Sequence, residues 1–319
     1  MCTAISYKGS AHFFGRNLDL EYYYQEQVVI APRNYPFRFR CGYALHRHYA
    51  MIGMATVANG YPLYYEATNE CGLSIAGLHF PGSAVYQNKA AGKDNLAPYE
   101  IIPWILGQCK SVKEAKKLLG RLSIWALPFS REFPLSPLHY MLCDAEQALV
   151  IEPLADGLKI YENPVGVLTN EPPFPYHMHH LADFMQLHPG QAQNQFPGIE
   201  IKPYSNGMGA MGLPGDFSSA SRFVKAAYVL SNSVTSGSEI SQFFHMLNAV
   251  AMPKGCVRIG QANEITRYSS CCDTQKGIYY YTTYENSRPR AVCMHNTNLE
   301  ASVLTAFDLL VQPDIYYQN

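Results

Sequence analysis

The cysteine at position 2, placed directly after Met1 and followed by Thr3 and Ala4, is the first residue of this chain that could do chemistry. Removal of Met1 would put a thiol and a free α-amine on one residue. An α-amine ordinarily titrates at about 8, so a modest downward shift makes it a neutral base able to take the thiol proton directly or through water. Such a nucleophile needs no separate histidine. A lone cysteine is weak ground, however, and a chance Met-Cys start is the blander reading. The run Gly15-Arg16-Asn17-Leu18-Asp19 shifts the balance, because it follows a first turn and so returns close to Cys2. Arg16 there would lower the thiol pKa, and Asp19 could accept a hydrogen bond from the α-amine; the bland alternative is a surface ion pair.

Two further segments offer groups of the right kind. Residues 166–173 end a predicted strand in Asn170, followed by Glu171-Pro172-Pro173. A side-chain amide mounted on a proline stop suits an oxyanion donor, although asparagine also simply forms turns. Residues 212–223 run from a Gly/Pro turn into a helix, so that Arg222 stands in its first turns. A cation there opposes the helix dipole and wants an anion nearby, unless its side chain is solvated. His177, His179 and His180 resemble a metal cluster, but no carboxylate or cysteine stands at ligand spacing with them. A polar helix start accounts for them better, and no metal is expected. The adjacent Cys271 and Cys272 read as a strand pair facing opposite ways, not as a redox pair.

These residues need a frame. Residues 2–7 are β-competent, Gly9-Ser10 makes a turn and residues 12–15 can return antiparallel, which would order the N-terminus. Other predicted strands cover 27–31, 51–57, 73–78, 138–143, 148–152 and 165–169, with a late hairpin of 279–284 and 290–294. Ser111 and Glu114 stand at capping-box spacing before a helix over 111–122. A second capping box, completed by Glu239, predicts a helix from about Ser236, with Ile240, Phe243, Phe244 and Leu247 as its apolar stripe. A third helix is expected over 220–230, and residues 191–217, rich in Gly, Pro, Gln and Asn, read as a long surface excursion. Helices interrupt a strand-rich chain in blocks instead of alternating with strands. The pattern therefore favours an α+β arrangement of layered antiparallel sheets covered by helices over a doubly wound parallel sheet.

Composition narrows the classes further. The 319 residues, 48% apolar and only 15% charged, suit a packed globular protein and are read as one domain, 1–319. A net charge of -1 without a basic block gives no field for nucleic acid. No apolar run approaches the roughly 18 residues of a membrane span, and no export signal is evident, so a soluble cytoplasmic protein is expected. The nine cysteines lack framework spacing and read as free thiols in a reducing compartment.

Taken in order along the chain, Met1-Cys2-Thr3, Gly15-Arg16-Asn17-Leu18-Asp19, Asn69-Glu70-Cys71-Gly72-Leu73, Ala76-Gly77-Leu78-His79-Phe80-Pro81-Gly82, Leu168-Thr169-Asn170, Gly212-Leu213-Pro214-Gly215-Asp216-Phe217 and Gly277-Ile278-Tyr279-Tyr280-Tyr281 resemble the choloylglycine hydrolase family. That family of N-terminal nucleophile hydrolases includes the bile salt hydrolases and the penicillin V acylases. The resemblance spans essentially the whole chain. It implies a four-layer αββα sandwich, commonly assembled as a homotetramer, with Cys2 as nucleophile, Arg16, Asp19, Asn170 and Arg222 completing the site, and no cofactor. One departure is His79, where many bile salt hydrolases have Asn and penicillin V acylases have Tyr. If its backbone N–H is the second oxyanion donor, as the family suggests, the imidazole would alter pH dependence more than it would abolish activity.

The segment 76–82 looks more like the bile salt hydrolases, which implies a small-molecule substrate, a glycine- or taurine-conjugated bile salt. Leu20, Tyr64, Phe129, Phe133 and Leu138 occupy positions that border the steroid pocket in the family; plain core packing is an equal alternative. Arg131, on the same loop, is the candidate for the conjugate's anionic end. Two rivals stay open. One is a penicillin V or N-acyl homoserine lactone acylase of the same superfamily, and the other is a noncatalytic bile-acid or lipid carrier.

Overall fold

The computed structural model describes residues 1–235 and 237–319, so the expected helix start at Ser236 lies outside the described residues. Two large antiparallel sheets make up the centre. The first runs, strand by strand, Val167–Leu168, Cys2–Lys8, His12–Leu20, Ala262–Asp273, Ile278–Thr283 and Arg290–Cys293, with Val257–Ile259 also paired to Ala262–Asp273. The second runs Gly157–Glu162, Ala148–Leu154, Leu138–Cys143, Ser74–His79, Tyr61–Asn69, Met51–Ala58, Gln27–Ala31 and Thr305–Asp308.

The strand period of two sorts the side chains into layers. In Gln27–Ala31, Val28 and Ile30 pack toward the first sheet, whereas Val29 and Ala31 join a separate core on the other face. Leu138–Cys143 does the same, with Met141 and Cys143 facing the first sheet and Tyr140 and Leu142 facing away. The second core is closed by the helices Ile101–Gln108 and Val112–Leu119, and the outer face of the first sheet by Ser219–Asn232 and Glu239–Asn248. The result is the expected α+β arrangement, helices, sheet, sheet, helices. No helix among the described residues is long and apolar enough to cross a membrane.

Several expected elements shift at their ends. The first hairpin is longer than residues 12–15 allow, since its return strand is His12–Leu20 and holds the Gly-Arg-Asn-Leu-Asp run within itself. Gly15 is needed there because a Cβ would lie 1.9 Å from the Ser270 carbonyl oxygen of the next strand. The helix after Ser111 stops at Leu119, and Leu122 begins a short strand. Ser111 caps it by accepting from Glu114 N–H, but the Glu114 carboxylate reaches Lys110 N–H and so leaves the capping box incomplete. At Glu239–Asn248 the cap is Ser238, and the Glu239 carboxylate turns away to Ser10. Residues 191–217 do form a long excursion whose one helical turn is Met208–Ala210.

Candidate active site

Cys2 opens the first strand and is 2% exposed. Its strand is interior to the sheet, flanked by Val167–Leu168 and His12–Leu20, and Cys2 itself pairs with Leu18. That register brings Arg16 and Asp19 to the same end of the sheet as Cys2. Its amide N–H donates to Asn170 Oδ1 at 2.8 Å.

Arg222, buried near the start of the Ser219–Asn232 helix, ties the group together. One guanidinium nitrogen donates to the Cys2 carbonyl at 2.6 Å and to Thr3 Oγ1 at 2.7 Å. The second donates to Asn170 Oδ1 at 2.7 Å, and Nε donates to the Phe217 carbonyl at 3.0 Å. The Asn170 amide is thus fixed in orientation. Its Nδ2 donates to the His79 carbonyl at 2.7 Å and keeps one further N–H.

Asp19 is buried and lies 4.0 Å from Arg222. Thr266 donates to its Oδ1 at 2.6 Å, while Oδ2 has no partner. Burial raises the Asp19 pKa against the opposing pull of Arg222 and the amino terminus. A β-bulge between Thr266 and Tyr268 sets Thr266 opposite Asp19. Arg16 donates to the Gly77 carbonyl at 2.7 Å and to the Tyr65 carbonyl at 3.2 Å. The latter is free to accept because a register shift in Tyr61–Asn69 leaves Tyr65 without a partner across the ladder. Arg16 Nη2 has no partner. Unsatisfied buried polar atoms are rare in native structures, and two of them, on Arg16 and Asp19, stand around Cys2.

Met1 caps the arrangement. Its ammonium donates to the Asp19 carbonyl at 2.8 Å and pairs with the Glu264 carboxylate. Burial lowers its pKa below the usual 8.0. Cys2, Met1 and Arg16 border a cavity of about 400 Å³ whose far wall is apolar. Leu20, Tyr64, Phe129, Phe133 and Leu138 all line it, as does His79. Arg131 does not: its side chain is exposed, and Glu132 faces the cavity instead. Burial, followed by the nearby amino terminus, lowers the His79 pKa. The Cys2 nitrogen, here a backbone amide following Met1, meets Asn170 Oδ1, while the Asp19 carboxylate accepts from Thr266.

Residues 2–307 match the family model of linear amide C–N hydrolases, choloylglycine hydrolase family. The chain is 46% identical to a bile salt hydrolase/transferase from Lactiplantibacillus plantarum over 100% of both chains. It is 35% identical to a bile salt hydrolase/transferase from Clostridium perfringens, with 96% of each covered. Among solved structures, the mutant C2A of conjugated bile acid hydrolase from Clostridium perfringens superposes with a TM-score of 0.94 at 34% identity, covering 100% of both chains. The chain belongs to the choloylglycine hydrolase family. A penicillin V acylase from Agrobacterium tumefaciens shares the fold, with a TM-score of 0.78 at 18% identity over 98% of this chain and 94% of the other.

This choloylglycine hydrolase site has supports that the sequence did not reveal. The buried Glu66 lies 3.8 Å from Arg16 and accepts from Tyr268 Oη at 2.8 Å, from Ser270 Oγ at 3.0 Å and from Tyr279. His177, considered above as part of a metal cluster, is buried, and its Nε2 donates to the Asn170 carbonyl at 2.9 Å. His139 bridges Glu152 and the Thr169 carbonyl just before Asn170. His177 was legible only as an odd histidine on a helix start; Glu66 and Thr266 carried no local signal.

Proposed function

We propose that this choloylglycine hydrolase cleaves the amide bond of glycine- or taurine-conjugated bile acids, with Cys2 as nucleophile once Met1 has been removed. The observation that carries the reading is the placement of Cys2 between the Arg222–Asn170–Asp19 network and an apolar cavity of about 400 Å³. A bile salt is a rigid apolar body ending in an amide and an anion, and an apolar lining with a few fixed polar groups suits it. Because Met1 borders the same cavity, its removal would widen the site and free the amine together.

In the proposed reaction the Cys2 α-amine takes the thiol proton while sulfur attacks the amide carbonyl. Burial lowers the Met1 ammonium pKa, and the same enclosure would pull the freed Cys2 amine in the same direction, toward the neutral base. The remaining Asn170 N–H and the His79 backbone N–H stabilise the oxyanion, and Arg16 favours the thiolate. The α-amine then protonates the leaving amine, and water releases the acid from the thioester. Asp19, through its unpartnered oxygen, and Arg222 position the amine and the Asn170 amide. Arg16 is the arginine that lines the cavity together with Cys2, and Arg131 is too exposed to support the reading given to it.

One working unit spanning the whole chain is supported by both sheets contributing to the cavity. All nine thiols are unpaired, which suits a reducing cytoplasmic setting. A homotetramer is supported by exposed apolar residues on the long excursion, including Phe196, Ile199 and Tyr204. The test is intact mass and turnover of glycocholate, taurocholate, penicillin V and an acyl homoserine lactone by wild type beside Cys2→Ser. Loss of Met1, with bile-salt turnover that falls at least a hundredfold in the variant, is expected. Equal turnover by the two proteins would remove Cys2 from the mechanism. Preference for penicillin V or the lactone would reassign the substrate, and retained Met1 without turnover would favour a carrier.

A further inference from the structure

The two groups read above as oxyanion donors stand on different sheets. His79 ends Ser74–His79 of the second sheet, whereas Asn170 follows Val167–Leu168 of the first. Phe80 N–H donates to the Pro137 carbonyl at 2.9 Å, which makes the neighbouring His79–Leu138 pair the non-hydrogen-bonded one of that antiparallel ladder and turns the His79 N–H to the opposite edge. The Gly77 carbonyl, two residues back, points the same way and meets Arg16 at 2.7 Å. Asn170 is held from behind, since its N–H donates to Ser219 Oγ at 2.8 Å and its carbonyl meets His177 Nε2 at 2.9 Å. The next residue, Glu171, reaches from this anchored backbone to the segment past His79. Its Oε1 accepts the Gly82 N–H at 2.7 Å and the Ser83 N–H at 2.8 Å, and its Oε2 accepts from Ser83 Oγ at 2.6 Å. A Cβ at Gly82 would sit 3.3 Å from the Glu171 carboxyl carbon, so the glycine leaves room for the approach. On the inner side His139 makes the matching link: its ring stacks on Phe80 at 4.1 Å, and its Nε2 meets the Thr169 carbonyl at 3.0 Å.

We propose that Glu171 is a positioning residue for amide cleavage: its carboxylate straps residues 82–83 to the residue beside Asn170 and so fixes the distance between the free Asn170 N–H and the His79 N–H. The proposal rests on the oxyanion assignment above. Glu171 does not line the cavity, so its effect on the reaction passes through those two donors. Hydrogen bonds to an ionised acceptor are roughly twice as strong as neutral ones, and here three of them converge on one side chain that bridges two sheets. Without the strap the turn after His79 is released on its outer side, while the His139 link and the bond from Asn170 Nδ2 to the His79 carbonyl remain. An oxyanion donor is worth roughly 10²–10³ in kcat, and a misplacement of about 1 Å costs on the order of 10²-fold. Release on one side only therefore sets an expected loss of about tenfold.

The experiment uses Met1-free full-length enzyme and reads two reactions of Cys2 in the same preparations. One is glycine release from glycocholate across substrate concentration. The other is alkylation by iodoacetamide, followed on the N-terminal peptide by mass spectrometry. Alkylation displaces iodide at a saturated carbon and builds no oxyanion, so it reports the thiol and its surroundings without the two donors. For Glu171→Ala the expected result is a kcat at least tenfold lower, a KM within threefold, and an alkylation rate within twofold of wild type. Glu171→Gln keeps an oxygen for both amide N–H groups and an amide for Ser83 Oγ, so it should recover most of the lost kcat. Glu171→Asp, one methylene too short to hold the same contacts, should behave like Glu171→Ala and carries the comparison where that variant fails to fold. A kcat within threefold of wild type in Glu171→Ala and Glu171→Asp overturns the proposal. So does alkylation that falls in step with kcat, which would place the effect on the thiol, or a loss confined to KM. A wild type that does not turn over glycocholate would instead sink the underlying hydrolase reading, and this inference with it.

Discussion

Arg222→Lys is the substitution that most directly tests how the site is held. The guanidinium reaches four acceptors, the Cys2 carbonyl, Thr3 Oγ1, Asn170 Oδ1 and the Phe217 carbonyl, at 2.6, 2.7, 2.7 and 3.0 Å. A lysine ammonium keeps the charge near Asp19 but has three donors on a flexible stem and cannot reproduce the planar fork. At least one acceptor is left unmade, and a hydrogen bond to a charged group contributes about 1.5–3 kcal/mol, so a stability loss of about 2 kcal/mol is expected. Catalysis should suffer more than stability. Asn170 Oδ1 is fixed by Arg222 on one side and Cys2 N–H on the other, and without the first the amide is free to turn its remaining N–H away. An oxyanion donor is worth roughly 10²–10³ in kcat, which sets an expected fall of about 10²-fold with KM changed only a few-fold. The assay is release of glycine from glycocholate across substrate concentration, beside a thermal melt of the same preparation. A variant that melts earlier yet keeps kcat within threefold of wild type would show that Arg222 stabilises the fold without aiming Asn170.

Three other outcomes follow from the same geometry. Thr266→Val removes the 2.6 Å hydrogen bond that favours charged Asp19, whose pKa burial already raises. The acid limb of the hydrolysis profile should therefore move to higher pH, and an unmoved limb would mean that the Asp19 charge is not required. His79→Asn should leave kcat/KM within threefold at pH 7, because burial keeps the imidazole below its usual 6.5 and already neutral there. Divergence is expected only on the acid side, and a large loss at neutral pH would assign the side chain a direct role. His12 and His177, both buried, are held at about 4 against 6.5 when exposed. The unfolded chain then binds more protons as pH falls below 6.5, so stability is full above that value and declines toward 4, by about 2 kcal/mol per histidine at pH 5. Urea midpoints at pH 7 and pH 5 for wild type and His177→Gln check this, and an equal drop in both proteins would exclude His177 as a cause.

What could be read from the residues depended on how each strand is buried. Residues 27–31 and 138–143 carry apolar side chains on both faces, lie between two cores and emerge with the expected bounds. Ala262–Asp273 is the longest strand described and had only its Cys271-Cys272 pair legible beforehand. Its buried positions include Glu264, Thr266, Ser269 and Ser270, so the apolar alternation that marks a strand is missing. Each of these polar residues serves another part of the site. Glu264 meets the amino terminus, Thr266 meets Asp19, Ser269 meets Asn17, and Ser270 meets Glu66. The stretch was obscure because it supports the site, a case of local rules failing where function is placed.

The same reasoning explains why a chain end can hold reacting groups in register. Terminal residues usually fray because few contacts offset the entropy of ordering them. Here the contacts that do not depend on Met1 centre on Cys2: the strand pairing starts with Cys2 and Leu18, the side-chain oxygen of Asn170 takes the Cys2 N–H, and Arg222 clamps the Cys2 carbonyl and Thr3. Met1 adds its ammonium contacts with Asp19 and Glu264 and the acceptance of Asp19 N–H by its carbonyl at 3.0 Å. Excision of Met1 therefore forfeits a few contacts at the cavity surface while leaving the clamp intact. The released amine would inherit the ordered position that Asn170 Oδ1 already gives the Cys2 nitrogen, which is the requirement for one residue to serve as both nucleophile and base.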